Sequence, residues 1–560
     1  MSMPIQLPLG IDSFEKLQKE GYYYIDKTDF IARLLQDKFE VNLITRPRRF
    51  GKTLTMSMLE AFFDISRKDL SVFENLSIGK NAALCQQWQN QFPVVFLTLK
   101  SVEANTYEDA YELLKILISD VCKKYSCLES SSRIDSDDLS CFRKLKARQG
   151  SPAEIKDSLY LLMRMMYAHY GKPVILLIDE YDVPLASADE NKYYKEMLDM
   201  IRGMLGKALK TNEFLKFSVI TGCLKIAKES IFTGINHVVS DTISGSRFDE
   251  YLGFTEQDVD QLLRDSHLTG HAEEMKRWYN GYLFGHTPVY CPWDVLNHVA
   301  ALQINPSAQP QNYWASTSHN SILYKIFDRT DFDVNTKFET LLSGGCLKEK
   351  ITEDLTYDTI DSTEENLWSL LYATGYLTGS ASSDPPFHDG TVLLRIPNEE
   401  IKSLFKTAIV EQFKKSVQTL DRSDFFQAMW NGRTEAASAF ISDLLFASIS
   451  YYDYSESYYH AFLAGLFAGG GYMVESNFEY GNGRPDVVVK DRKKRRVIVL
   501  EAKYVKSSSQ LEAACRSALL QIQEKRYSEP FQKEYRQILC YGVAFSGKDC
   551  LVMASDSISL

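Results

Sequence analysis

Short, almost unbroken apolar runs punctuate the first part of the chain: VNLIT (41–45), FPVVFLTL (92–99), PVILLID (173–179) and FSVITG (217–222). Their richness in Val, Ile and Leu is the pattern of strands buried on both faces. Between them, TLTMSMLEAFFDI and AEIKDSLYLLMRMMYAHY repeat apolar residues at helical spacing. Strand and helix alternating in this way predict a parallel sheet covered by helices. From about 250 to 430 the strand-like runs thin out, and DVDQLLRDS and NLWSLLYATGYL predict a mainly helical region, read as a lid and connector. The last part predicts a compact mixed unit: helix SYYHAFLAGLFAG, strands RPDVVVK and VIVLEAKYV around a basic turn, and helix LEAACRSALLQIQEKRY. The expected fold class is α/β, with an N-terminal domain over 1–249, the helical region over 250–430 and a C-terminal domain over 431–560. SCLESSSRIDSDD (126–138) and SASSDPPFHDG (380–390) are the most loop-like segments.

Composition narrows the class without naming a function. With 560 residues, 45% of them hydrophobic and 24% charged, the chain has room for about three or four domains and lacks the polar bias of a disordered polymer. A net charge of −11 excludes an indiscriminately cationic coat for nucleic acid, so basic patches must be read locally. The ten cysteines are scattered, with no CxxC pair and no Cys/His set at zinc spacing. No leader-like N-terminus and no window of about 18 apolar residues is present, which predicts a cytoplasmic protein with no membrane partner.

The candidate chemistry begins at TRPRRFGKT (45–53). Gly51, Lys52 and Thr53 supply the end of a phosphate-binding loop: backbone N–H groups at a helix start, a lysine for the outer phosphates and a hydroxyl for Mg²⁺. Arg46 stands where GxxxxGK[ST] has its first glycine, and Pro47 contributes no N–H. Arg48 and Arg49 add candidate cations. By itself the motif is balanced between a nucleotide site and a solvated basic turn. The second element tips it: VILLIDEYD places Asp179 and Glu180 at the C-terminal end of a hydrophobic strand, where open α/β sheets bind ligands. Asp179 is positioned to hold Mg²⁺ through water and Glu180 to polarise the attacking water, while Thr221, ending the next strand, is placed to sense the γ-phosphate. Lys225, Lys228 and Arg247 are further cations whose default reading is surface charge.

YYYIDKTDFI, TRPRRFGKT, LLIDEYDVPL, ITGCLKIAKESIFTGINH, WYNGYLFG and VYCPWDVLNH, in that order, resemble a family of bacterial and archaeal AAA-ATPase-like proteins. Arginine at the first loop position is part of that family's pattern, and Lys225 stands where many relatives carry arginine. The resemblance implies an ATP-binding P-loop ATPase.

In the C-terminal part, Asp486 begins one strand, and Glu501 and Lys503 lie two apart on the next, so they share a face and can project toward Asp486. Two carboxylates can hold one or two Mg²⁺ ions, with Mn²⁺ as a substitute, and the lysine can position water or offset charge on phosphorus. Over about the last quarter of the chain this arrangement resembles the PD-(D/E)XK nuclease superfamily. The resemblance implies a metal-ligand role for His460, on the preceding helix, and aligns Gln521 and Tyr527, at wider spacing, with a helical Gln and Tyr pair of RecB-like members. Glu475 and Glu479 are additional carboxylates. The intervening KDRKKRR carries six basic residues in seven and, beside such a centre, is placed to contact a DNA backbone.

Together these features predict an ATP-hydrolysing protein whose nucleotide state regulates a Mg²⁺-dependent nuclease, with DNA favoured as substrate by resemblance. The alternatives are an ATP-driven interaction switch that binds nucleic acid or protein without cutting, and an ATPase doing mechanical work on DNA. Homo-oligomer formation is left open.

Overall fold

The computed structural model describes the chain except residues 1–4, 68, 227–230, 233, 234, 236, 315–322, 324–333, 358, 359, 361, 381–389, 420, 448–455, 468–471, 477, 478, 556, 557 and 560. It divides into two compact units, Met1–Ser318 with Lys348–Ile401, and His319–Leu347 with Lys402–Leu560.

The first unit is built on five parallel strands, β1 (Val41–Thr45), β2 (Val94–Thr98), β3 (Val174–Asp179), β4 (Leu215–Gly222) and β5 (Val238–Asp241), in the order β2-β3-β4-β1-β5. The four apolar runs are β1 to β4, and every residue of β1 and β3 is buried. Two apolar clusters cover the faces of this sheet. The fifth strand gave no sequence signal, because VVSD is a four-residue edge strand with two half-buried positions. Helix boundaries follow from local chemistry. In Pro152–Tyr170, Ser151 and Glu154 form a capping box, Pro152 opens the helix and Gly171, at φ 69°, ends it. The loop-like stretch 126–138 is a short 3₁₀ turn, Ser126–Ser130, followed by Asp135 capping helix Ser136–Lys146, so its Ser and Asp residues serve partly as a cap. Of 380–390, residues 381–389 lie outside the described part.

Beyond residue 250 the described structure is mainly helical, with Glu256–Asp265, Ala272–Tyr279, Pro292–Ile304 and Glu364–Ala373 among its helices. Short strands interrupt it: a hairpin, β6 (Tyr282–Phe284) and β7 (Thr287–Val289), and a sheet of β8 (Leu347–Lys350), β9 (Thr378–Gly379) and β10 (Thr391–Arg395). Runs this brief carry no readable period. This region packs directly on the sheet domain, through Lys27 with Asp258 (2.5 Å), Tyr23 with Asp265 (2.7 Å) and Phe50 edge-on to Tyr282.

The second unit contains a mixed sheet of β11 (Met473–Ser476), β12 (Val487–Asp491), β13 (Arg496–Tyr504), β14 (Gln537–Ser546) and β15 (Asp549–Ala554), with β16 (Ile558–Ser559) on β14. Only β13 and β14 run parallel. Val487, Val489, Ile498 and Leu500 face one apolar cluster, and Val488, Val497 and Val499 face another, which is the period-two alternation of a sheet covered on both sides. Among the described residues no helix is long and apolar enough to cross a membrane.

Candidate functional site

At the C-terminal edge of the first sheet the chain turns from β1 into helix Lys52–Phe63. Arg46 does not substitute for glycine in backbone terms, because the left-handed positions of the loop are Arg49 (φ 73°) and Gly51 (φ 80°). A Cβ on Gly51 would meet nothing within 4 Å, so its conformation alone favours glycine there. The Arg46 side chain is instead buried against β5: its guanidinium donates to Asp241 Oδ2 at 2.6 Å and to the carbonyls of Thr45, Asp241 and Thr242. The arginine thus fixes the loop as a buried ion pair.

Lys52 Nζ is enclosed by the carbonyls of Arg46 and Pro47, both at 3.1 Å, and lies 3.6 Å from Glu180 Oε1. Burial opposes its charge, yet Cys223, Glu180, Asp182 and Asp179 raise its pKa above the ordinary value. Asp179, fully buried, accepts from Thr53 (2.8 Å) and Thr221 (2.6 Å), bringing loop and both strand ends together. Burial pushes the Asp179 carboxyl up and Glu180 adds to this, while the two threonine hydrogen bonds oppose it. Glu180 takes φ 53°, and its Oε2 is buried with no hydrogen-bond partner. Arg48 and Arg49 also lie in this loop; Arg49 stacks 4.4 Å from the Trp293 ring.

Sequence reasoning missed Asp182. Its Oδ2 accepts the N–H groups of Cys223 (2.9 Å) and Leu224 (3.0 Å), and the Tyr181 hydroxyl donates to Leu224 O and accepts from Ile226 N–H. These bonds zip the DEYD turn to the chain leaving β4. Burial, then Glu180, push Asp182 up to about 6. The repeated acid in DEYD was its one sequence signal. Lys225 pairs with Asp354 (2.9 Å), and Arg247 bonds Asp37 and Asn42 at the opposite, N-terminal end of β1. Lys228 lies outside the described residues.

In the second unit, the β12–β13 register pairs Val487 with Leu500, which sets Asp486 across from Glu501. Asp486 Oδ2 accepts the Ala502 N–H at 2.8 Å, and Lys503 Nζ lies 3.3 Å from Glu501 Oε1. Gln521, on helix Leu511–Glu524, donates to the same oxygen. That helix comes close because β14 offers Gly542 beside Glu501: a Cβ there would sit 2.3 Å from Cys515 O. Glu501 is buried, with Oε2 lacking a partner. Burial, reinforced by the charge of Asp486, pushes it up to about 7. Among the described residues no set of three or more His, Cys, Asp or Glu side chains is grouped to hold a metal. An ion on Asp486 and Glu501 would therefore complete its shell with water or phosphate oxygens, as Mg²⁺ commonly does.

Residues 8–232 match the family described as "Predicted AAA-ATPase", and residues 454–555 match the PD-(D/E)XK nuclease superfamily. Each match covers less than half of the chain, and the two lie in this order along it. It is also 25% identical to a protein of Azotobacter chroococcum mcd 1 described as "Uncharacterized protein in vnfD 5'region", over 97% of this chain and 96% of that one.

Within the PD-(D/E)XK segment not every expected residue converges. His460 belongs to helix Glu456–Phe467, whose Tyr459, Phe462 and Leu463 pack with Val487, Leu500 and Ala502 on the sheet face opposite Asp486 and Glu501. The His460 side chain itself is outside the described part. Tyr527 is buried beneath the turn at Gly483, Glu475 is engaged by Lys490 and Tyr480, and Glu479 pairs with exposed Arg484. The basic turn is not beside the carboxylates. It closes the far end of the β12–β13 hairpin, about 16 Å away at the ordinary strand rise. Three of its cations are already engaged, Lys490 with Glu475, Arg496 with Asp491 and Arg495 with the Glu534 carbonyl.

Proposed function

We propose that the chain is an ATP-hydrolysing, Mg²⁺-dependent nuclease acting on DNA, with nucleotide state at Lys52, Thr53, Asp179 and Glu180 regulating cutting. The observation that carries the cutting reading is the pairing of Lys503 with Glu501 Oε1, across from Asp486, while the second Glu501 oxygen is buried with no partner. Asp486 and Glu501 would hold the metal, which when bound supplies a Lewis acid that activates water and stabilises the leaving oxygen. Gln521 fixes the rotamer of Glu501, and the Lys503 ammonium offsets negative charge gathered at the phosphorus. In the first unit, Thr53 and Asp179 would hold Mg²⁺, Lys52 faces the outer phosphates, and the unpartnered Glu180 oxygen is available to accept a hydrogen bond from water. The division of labour is a catalytic sheet domain to residue 249, a helical lid and connector to 430, and the nuclease thereafter.

The test is to incubate purified protein with plasmid, linear duplex, single-stranded DNA and RNA, in Mg²⁺ or Mn²⁺, with and without ATP. Metal-dependent cleavage of DNA that changes with ATP is expected. Absence of cutting on every substrate would return the chain to an ATP-driven interaction switch.

A further inference from the structure

Glu180 sits between two fixed points in the DEYD turn. Before it, Asp179 accepts from Thr53 and Thr221 through its side chain and from the Leu99 N–H, at 2.9 Å, through its carbonyl. After it, the Tyr181 N–H donates to the Thr221 carbonyl at 3.0 Å, and the Val183 N–H closes the turn on the Glu180 carbonyl at 3.2 Å. Between these points Glu180 takes φ 53°, a left-handed conformation that is unfavourable for a residue with a Cβ and persists only where the surroundings enforce it.

The constraint comes from the chain leaving β4. Tyr181 is fully buried, and its hydroxyl donates to the Leu224 carbonyl at 2.8 Å and accepts the Ile226 N–H at 3.0 Å. Asp182, also buried, accepts the Cys223 and Leu224 N–H groups on a single oxygen, Oδ2, at 2.9 and 3.0 Å. Gly222 permits the approach, since a Cβ there would lie 2.6 Å from Asp182 Oδ1 and from the Tyr181 ring. These side-chain hydrogen bonds tie two consecutive residues to the segment 223–226, and that segment is itself at the site, because Cys223 Sγ lies 3.6 Å from Lys52 Nζ. The Glu180 carboxylate has no comparable anchor among the described residues. Its Oε1 is 3.6 Å from Lys52 Nζ and its Oε2 has no partner, so its backbone sets its place.

We propose that Tyr181 and Asp182 are positioning residues for ATP hydrolysis, holding the Glu180 carboxylate beside Lys52 through the chain that leaves β4. The inference rests on the nucleotide-site reading above and adds the residues that aim its water-polarising carboxylate. Both side chains are spent on the protein's own backbone, so their loss should slow turnover and spare nucleotide binding.

The experiment measures kcat and KM for ATP in the full chain, with fluorescent ATP binding in parallel, for wild type, Asp182→Ala, Asp182→Asn, Tyr181→Phe, Glu180→Gln and the double variant Glu180→Gln with Asp182→Ala. Asp182→Ala should lower kcat about tenfold or more, with KM within about twofold of wild type. Asp182→Asn, whose amide oxygen still accepts both N–H groups, should keep at least about half of the wild-type kcat. A fall equal to that of Asp182→Ala would show that the charge of Asp182 matters and not its hydrogen bonds, and overturns the proposal. The double variant should be no more than about twofold slower than Glu180→Gln, because a residue acting through Glu180 then has nothing left to aim. Losses that multiply overturn the proposal. Tyr181→Phe keeps the buried ring and carries the test if Asp182→Ala does not fold: kcat about fivefold lower or more at unchanged KM is expected, and wild-type kcat overturns the proposal. Wild-type turnover in Asp182→Ala overturns the positioning role alone and leaves the nucleotide site standing, whereas a wild type that does not hydrolyse ATP overturns it together with the hydrolytic reading.

Discussion

At the phosphate loop a buried cation, Lys52, is surrounded by carbonyls of its own loop and by carboxylates that favour its charge. In the second unit a buried carboxylate, Glu501, has a lysine at 3.3 Å, yet burial and Asp486 still push it up to about 7. In the first centre the hydroxyls of Thr53 and Thr221 hold Asp179 in place, and a cation lies among the carboxylates. The second carries an excess of negative charge that a divalent cation would relieve. On the proposed function, the first site would be pre-organised before its ligand arrives, while the second would be completed by a metal.

The largest expected effect breaks the second centre and spares the first. Asp486→Ala or Glu501→Ala removes a hard oxygen ligand, so cleavage should fall to background while ATP hydrolysis persists. Lys503→Ala should also stop cutting but keep Mn²⁺ affinity, since an ammonium repels a cation. An equal loss of Mn²⁺ binding in Lys503→Ala and Asp486→Ala, measured by titration, would show that the lysine's role is wrong.

The converse set acts on the first centre. Lys52→Ala should abolish nucleotide binding, whereas Glu180→Gln should bind ATP and hydrolyse it at least about tenfold more slowly. Wild-type turnover in both variants would mean that the nucleotide site lies elsewhere. Stability offers a third contrast. Arg46→Ala leaves Asp241 buried without its cation and should cost about 3–5 kcal/mol of unfolding free energy, read by denaturant titration. A loss below about 1 kcal/mol would reduce the pair to surface strength.

Glu400, fully buried in the first turn of helix Glu399–Thr419, gives a pH-dependent prediction. Its folded pKa lies above the unfolded value of 4.5, so the stability it contributes is complete below pH 4.5 and is lost as pH rises toward about 10. Glu400→Gln should therefore raise the melting temperature more at pH 8 than at pH 5, and a pH-independent difference would contradict the upward shift of its carboxyl. The smallest effect belongs to the basic turn. Replacing Lys493, Lys494, Arg495 and Arg496 with Ser should weaken DNA binding modestly and flatten its salt dependence, because these cations stand about 16 Å from the carboxylates. An unchanged salt slope would make the turn an ordinary solvated one.

Strands buried on both faces were legible because their apolar runs need no partner to be recognised, and the shared face of Glu501 and Lys503 was legible from strand periodicity, while Asp486 comes opposite Glu501 only through the β12–β13 register. What escaped depends on distant groups. Arg46 read as a poor substitute for glycine until the fold supplied Asp241, 195 positions away. Asp182 was hidden behind its neighbours until β4 brought the Cys223 and Leu224 amides to it. The basic turn is close to Asp486 and Glu501 in sequence, yet an antiparallel hairpin puts its turn and its open end at opposite extremes.

The central claim joins the two centres through nucleotide, and it is tested most directly by the rate of plasmid cleavage in Mg²⁺ as ATP is titrated, compared between wild type and Lys52→Ala. The account predicts that ATP changes the wild-type rate, in either direction, and leaves the Lys52→Ala rate unchanged while that variant still cuts. Cleavage by wild type that is indifferent to ATP, or an identical ATP response in both proteins, would contradict it.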